Sequence, residues 1–147
     1  LARLRATVTA VTGLEPNVKN DEHIVVSSDG KAAVWLGVID DLWEMGKPTG
    51  NGGPWKNSSV KAGEPSDPYL IGFYDKRTLE LSHESSQPVT FRIEVEPIGH
   101  GPWMLYQQVT VNPGETFRHE FPGSFQARWI RFVADKNCKA TAWLEYR

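Results

Sequence analysis

Along most of this chain apolar and polar residues alternate, the period of a β-strand that buries one face. Residues 89–96 show it best. Val89, Phe91, Ile93 and Val95 fall on one side, and Thr90, Arg92, Glu94 and Glu96 on the side given to water. Residues 4–12 alternate and are rich in β-branched side chains. Residues 23–28 and 31–38 flank Asp29-Gly30, a dipeptide that turns a hairpin because both positions accept positive φ. Leu79 and Leu81 share a face in residues 78–83, as do Trp103, Leu105, Val109 and Val111 in residues 103–111. Phe117, His119 and Phe121 do so in residues 116–121. Residues 128–134 are apolar on both faces apart from their arginines, as a central strand would be. The last run puts Cys138, Ala140, Ala142, Leu144 and Tyr146 on one face, and Lys139, Thr141, Trp143 and Glu145 on the other. Turn residues separate the runs, at 97–102 and at Asn112-Pro113-Gly114. Residues 39–45 fit a helical turn and a strand end equally. The pattern predicts an all-β chain: an antiparallel β-sandwich, jelly-roll-like, with one long Gly/Pro-rich loop.

That loop is the stretch 46–70, GKPTGNGGPWKNSSVKAGEPSDPYL, which has neither a strand period nor a helical one. Excursions beyond ~12–15 residues are uncommon in compact domains. Residues 46–69 are therefore expected as a long ordered loop, pinned by Trp55 and Tyr69, over a sandwich formed by residues 70–147. Residues 1–45 supply either further strands of the same sandwich or the end of a preceding domain.

With 147 residues the chain fits one domain, or one and part of another. Such a length buries an adequate core without disulfides, and Cys138, the single cysteine, has no internal partner. The net charge of −2 is spread over mixed residues, and no basic block marks a nucleic-acid binder. No apolar run approaches the ~20 residues of a membrane span. The chain opens on Leu1 without a signal-peptide pattern, the start expected of a processed product or a piece of a longer polypeptide.

Six tryptophans are many for this length. Indole and phenol rings build cores, and they also stack on the C–H face of a sugar ring. The stacking candidates are Trp55 and Tyr69 in the long loop, Trp103 after the glycine-rich turn, Tyr106, and Trp143 between Thr141 and Glu145. Trp143 is the sharpest, because a tryptophan on a polar sheet face calls for a partner. The competing reading has the loop crossing that face, with Trp55 packed on Trp143. Trp35 and Trp129 lie in apolar strands and are expected in the core.

Carboxylates gather at Asp40, Asp41 and Glu44 and again at Glu64, Asp67 and Asp75. Two carboxylates roughly 5–10 Å apart can hydrolyse a glycoside. Oxygen-rich loops hold Ca²⁺ with ~6–8 ligands, which makes Glu64, Asp67 and Asp75 the site for a structural calcium if there is one. Capping and solvated charge account for the same residues without any ligand. His23, His83, His100 and His119 lack metal-site spacing. No GxSxG occurs, and Gly50–Gly53 lacks the lysine and hydroxyl of a phosphate loop. No reaction signature is present, and the chain is read as no enzyme.

Two resemblances bear on function. Residues 124–134, SFQARWIRFVA, resemble the penultimate strand of discoidin-type, galactose-binding-like jelly rolls. Residues 47–56, 60–70, 74–83 and the final strands are similar to the C-terminal β-sandwich region of secreted multidomain bacterial proteins. There the region follows a propeller or another catalytic domain acting on polysaccharides. Residues 27–37, SSDGKAAVWLG, are similar to a propeller-blade hairpin but depart from the Asp-box pattern. The likeness implies a non-catalytic carbohydrate-binding accessory module, secreted or at the bacterial cell surface or periplasm, with polysaccharide and neighbouring domains as partners. It carries over no ligand residues. The alternatives are a structural domain packed on a catalytic or propeller domain with no sugar ligand, and a small β-fold hydrolase using the acidic groups.

Overall fold

The structure, a computed structural model, describes residues 24–29, 33–35 and 47–147. The chain divides into two compact units, Leu1–Gly46 and Lys47–Arg147. In the first, β1 (Ile24–Val26) pairs antiparallel with β2 (Ala33–Trp35), with Val25 opposite Val34. This is the pairing that the Asp29-Gly30 signal predicts. The strand expected at 4–12, the segment 39–45, the acidic group Asp40, Asp41 and Glu44, and the side chain of Trp35 lie outside the described residues.

The second unit is all-β. Its strands are β3 (Gly50–Val60), β4 (Tyr69–Leu70), β5 (Arg77–His83), β6 (Val89–Glu96), β7 (Met104–Val111), β8 (Thr116–Glu120), β9 (Trp129–Ala134) and β10 (Cys138–Tyr146). They form two four-stranded antiparallel sheets, ordered β3-β10-β5-β8 and β4-β9-β6-β7. The pairings nest: β3 with β10, β4 with β9, β5 with β8, β6 with β7. The unit is a β-sandwich whose apolar residues of matching parity face each other between the sheets. Leu79, Leu81, Ala140, Ala142 and Leu144 from one side meet Phe91, Ile93, Ile130 and Phe132 from the other, all buried.

The 46–69 excursion is where structure departs most from the expectation. Gly50–Val60 is not loop but an eleven-residue strand on the edge of the first sheet. The sandwich is thus not complete in residues 70–147. Two features hide the strand. Its register against β10 slips twice, between Ala140 and Ala142 and between Ala142 and Leu144, so β3 spends extra residues and loses its period of two. Its residues are also poor strand formers. Pro54 is tolerated because an edge strand has one row of N–H groups without a ladder partner. Gly53 is required, because a Cβ there would come within 1.9 Å of the Ala142 carbonyl oxygen. Between the slips Trp55 points inward, 8% exposed, with ring centroids 6.0 Å from Phe132 and 6.5 Å from Phe91. It does not meet Trp143, which lies on the opposite face of the sheet.

Two smaller departures concern β6 and β7. Glu96, expected in water, is buried at the end of β6. Leu105, expected on the face of Val109 and Val111, is exposed. Tyr106 is an extra residue in β7, since Ile93 pairs with Gln107 while Glu94 pairs with Leu105. The slip reverses parity ahead of it.

Candidate functional site

The outward side chains of β9 and β6 form a polar row. Ile130 and Phe132 are buried, so the intervening Trp129 and Arg131 face out, both half-buried. Opposite Arg131 stands Glu94. The Arg131 Nε donates to Glu94 Oε2 at 2.7 Å, and the Arg92 Nε lies 3.4 Å from Glu94 Oε1. The Arg131 guanidinium sits 4.3 Å from the centroid of the Trp103 ring. Trp103, Arg131, Glu94 and Arg92 therefore run in contact across the sheet. Beyond Arg92 is a depression of about 320 Å³, whose lining includes Thr90, Gln108 and Asp135. On the other side, Trp129 also lines a cavity of about 390 Å³ with Tyr69, Tyr74, Tyr146, Asn51 and Pro68.

The loop before β7 is built to hold Trp103. The Glu96 carboxylate accepts the backbone N–H groups of Ile98 at 2.9 Å, Gly101 at 2.8 Å and Gly99 at 2.5 Å. Gly99 has φ of +97°, a backbone conformation suited to glycine. Burial works to raise the pKa of Glu96, but the three N–H donors outweigh it, and the carboxyl sits below its usual range. The Glu96 carbonyl accepts Arg128 N–H at 2.9 Å, tying this loop to the one before β9.

In the neighbouring cavity, Tyr74 and Tyr146 stack with centroids 4.2 Å apart. The Tyr146 hydroxyl donates to the Leu70 carbonyl at 2.6 Å. Burial, with Tyr69 and Tyr74 beside it, pushes its pKa far up, so this phenol stays a donor.

The other outer face, that of the first sheet, carries Trp143 between Thr141 and Glu145, as expected from its parity, and opposite Glu80. The Lys56 ammonium lies 4.6 Å from the ring centroid. Arg118 pairs with Glu80 at 3.2 Å and Glu145 at 3.7 Å. The ring thus holds a cation, as that of Trp103 does, but here Arg118 is answered by two carboxylates, whereas Arg92 and Arg131 share one.

The five ring candidates therefore separate. Trp103 stands at the end of the Arg131 row, whereas Tyr69, paired with the buried Ile130, packs against the core with its hydroxyl beside Gly52 of the other sheet. Trp143 is on the opposite face. Trp55 and Tyr106 are taken out of contention by packing. Tyr106 turns inward at the bulge, its hydroxyl 2.9 Å from His119 Nε2 and its ring against Phe121 and Phe125. Burial raises the pKa of Tyr106 and lowers that of His119. Trp129, expected in the core, faces out; the signal for this was Arg131, which shares its parity and marks the solvent side. Arg92, Arg131 and Glu94 were not singled out from sequence, because alternating charge on a strand is ordinary.

Of the calcium candidates, Glu64 pairs with Lys61 at 3.4 Å, Asp75 pairs with Lys47, and Asp67 accepts Ser66 Oγ through its backbone carbonyl. Among the described residues no group of three or more His, Cys, Asp or Glu side chains stands close enough to hold a metal ion. His83 is buried and engaged on both nitrogens, Nε2 at 2.9 Å from the Val111 carbonyl and Nδ1 accepting Ser85 N–H at 3.1 Å. Burial and Asp135 raise the pKa of the Cys138 thiol. Among the described residues no helix is long and apolar enough to cross a membrane.

No protein-family model matches the chain, and neither a curated protein nor a solved structure does.

Proposed function

We propose that the Lys47–Arg147 unit is a jelly-roll carbohydrate-binding module, non-catalytic, that serves a secreted or cell-surface bacterial glycan-degrading protein. The nested strand pairing supports the jelly-roll reading. The observation that carries the binding reading is Trp103: a half-exposed indole held at one end of a row of polar side chains that leads to a depression. An apolar ring beside polar donors and acceptors matches a sugar, which has C–H faces and hydroxyl edges. Binding of this kind would be weak at one site. Tethering to an enzyme on the same polypeptide would raise the enzyme's effective concentration on its substrate.

The test is affinity electrophoresis of the full chain in gels containing plant and algal polysaccharides. Trp103→Ala should weaken retardation about tenfold, or ~1.4 kcal/mol. Trp143→Ala should leave it within about twofold, with thermal unfolding unchanged in both. Equal retardation of wild type and Trp103→Ala would remove the reading.

A second reading is a structural module that covers a neighbouring domain without binding sugar. It is favoured by apolar side chains left in water: Phe73, 77% exposed at φ +73°, and Ile98, Met104 and Leu105, also exposed. Absence of glycan retardation, with concentration-dependent self-association of the isolated chain, would select it.

A further inference from the structure

Resting on the glycan-binding reading, the geometry points to an acidic glycan as the ligand, its carboxylate or sulfate group taken by Arg92 and Arg131. Both arginines approach the same acid, Glu94, and both do so through Nε. A guanidinium offers five N–H donors in a planar fork that fits a carboxylate or sulfate edge, and charge-assisted bonds of that kind are the stronger ones. Two cations against one anion leave the cluster with an excess of one positive charge. Glu94 is well shielded, its side chain 13% exposed, whereas that of Arg92 is 51% exposed. A ligand arriving from solvent therefore meets Arg92 first, and then Arg131, whose side chain is 25% exposed.

The remaining groups divide the work. Trp103 caps the Arg131 guanidinium from one side, at 4.3 Å, which holds the charged plane in place. Past Arg92, the depression of about 320 Å³ falls at the low end of the ~300–1,000 Å³ usual for small-ligand sites. Its Gln108 amide and Thr90 hydroxyl suit sugar hydroxyls. Asp135 also lines it, and one of its carboxylate oxygens accepts Thr90 N–H at 2.9 Å. That acid faces the hydroxyl-bearing end of the ligand, away from the Arg131 end. The charged substituent is thus placed over the two arginines and the uncharged part of the ring toward Gln108.

The experiment is isothermal titration of the full chain with three probes: polygalacturonate for carboxylate, a sulfated galactan for sulfate, and neutral galactan. The expected result is tighter binding of at least one charged polymer than of the neutral one, with added salt weakening it. Whichever charged arm binds tighter identifies the anion. Arg92→Gln and Arg131→Gln should each cut affinity for that polymer about tenfold or more and weaken neutral galactan by clearly less, while Arg92→Lys should retain part of it. Arg92 is exposed enough for its variant to fold, so a loss seen only with Arg131→Gln would count against the inference. Neutral galactan bound as tightly as the charged polymers, with Trp103→Ala still abolishing binding, overturns the charge preference and leaves the glycan reading standing. Binding of none of the three overturns both.

Discussion

Both outer faces of the sandwich carry tryptophan, and Trp143 and Trp103 meet different surroundings there. On the β3-β10-β5-β8 face, Trp143 lies under the Lys56 ammonium, and Arg118 answers both Glu80 and Glu145. On the β4-β9-β6-β7 face, Trp103 rests on Arg131, and the arginines outnumber the carboxylate they share. The first arrangement is closed within the chain. The second sets two arginines on one carboxylate beside an aromatic ring, with Arg92 lining a depression. An exposed tryptophan is therefore a weak sign of a binding site until the charges around it are counted, since both rings here already carry a cation of their own chain.

The comparison can be broken first from inside. Trp55→Ala removes the indole that both sheets pack around and should cost ~3–5 kcal/mol. In a unit of this size that lowers Tm by more than about 10 °C, read by calorimetry, and both faces should fail together. The next largest effect is the contrast between Trp103→Ala and Trp143→Ala in glycan retardation. If the two lose binding equally, the faces do not differ in function.

Acid gives a third test. The carboxyl of Glu96 lies below its ordinary value of 4.5 in the fold, so as pH falls the unfolded chain takes up this proton before the folded one does. Its contribution is whole above about pH 4.5 and fades as acid approaches the lowered value. Amide protection factors at Ile98, Gly99 and Gly101, taken relative to the intrinsic exchange rate at each pH, should fall below that pH while the Trp143 face is still protected, and Glu96→Gln should flatten the dependence. Uniform exchange across both faces would contradict the loop's separate control. The smallest effect belongs to Lys56→Ala, which should lower stability by less than about 1 kcal/mol. A larger loss by chemical denaturation would mean that the Trp143 face contributes more to the fold than an exposed cation–ring pair does.

Most of the strands were legible because burial on one side imposes a period of two, and β5, β6, β8 and β10 keep it with few interruptions. β3 was not, since two register slips erase the period and its composition is that of a loop. Glu96 misled for a different reason. Its place in the alternation says outward, but the chain folds back over it, and only the three following N–H groups explain a buried acid. The same limit applies to the site. Period alone placed Trp143 on the polar face, but not Lys56 above it, because the pair is formed across strands far apart in sequence. Trp129 and Arg131 could be assigned to one face from their spacing, yet the row that Arg131 makes with Glu94 and Trp103 depended on contacts formed across strands.

The ragged edge at β3 has an effect on neighbours. A long straight margin invites a strand from another copy to dock along it, and the more so as the local concentration rises. Pro54 and the two slips against β10 break up the row of amide groups such a strand would need, so copies arrayed side by side on a surface can remain separate folded bodies.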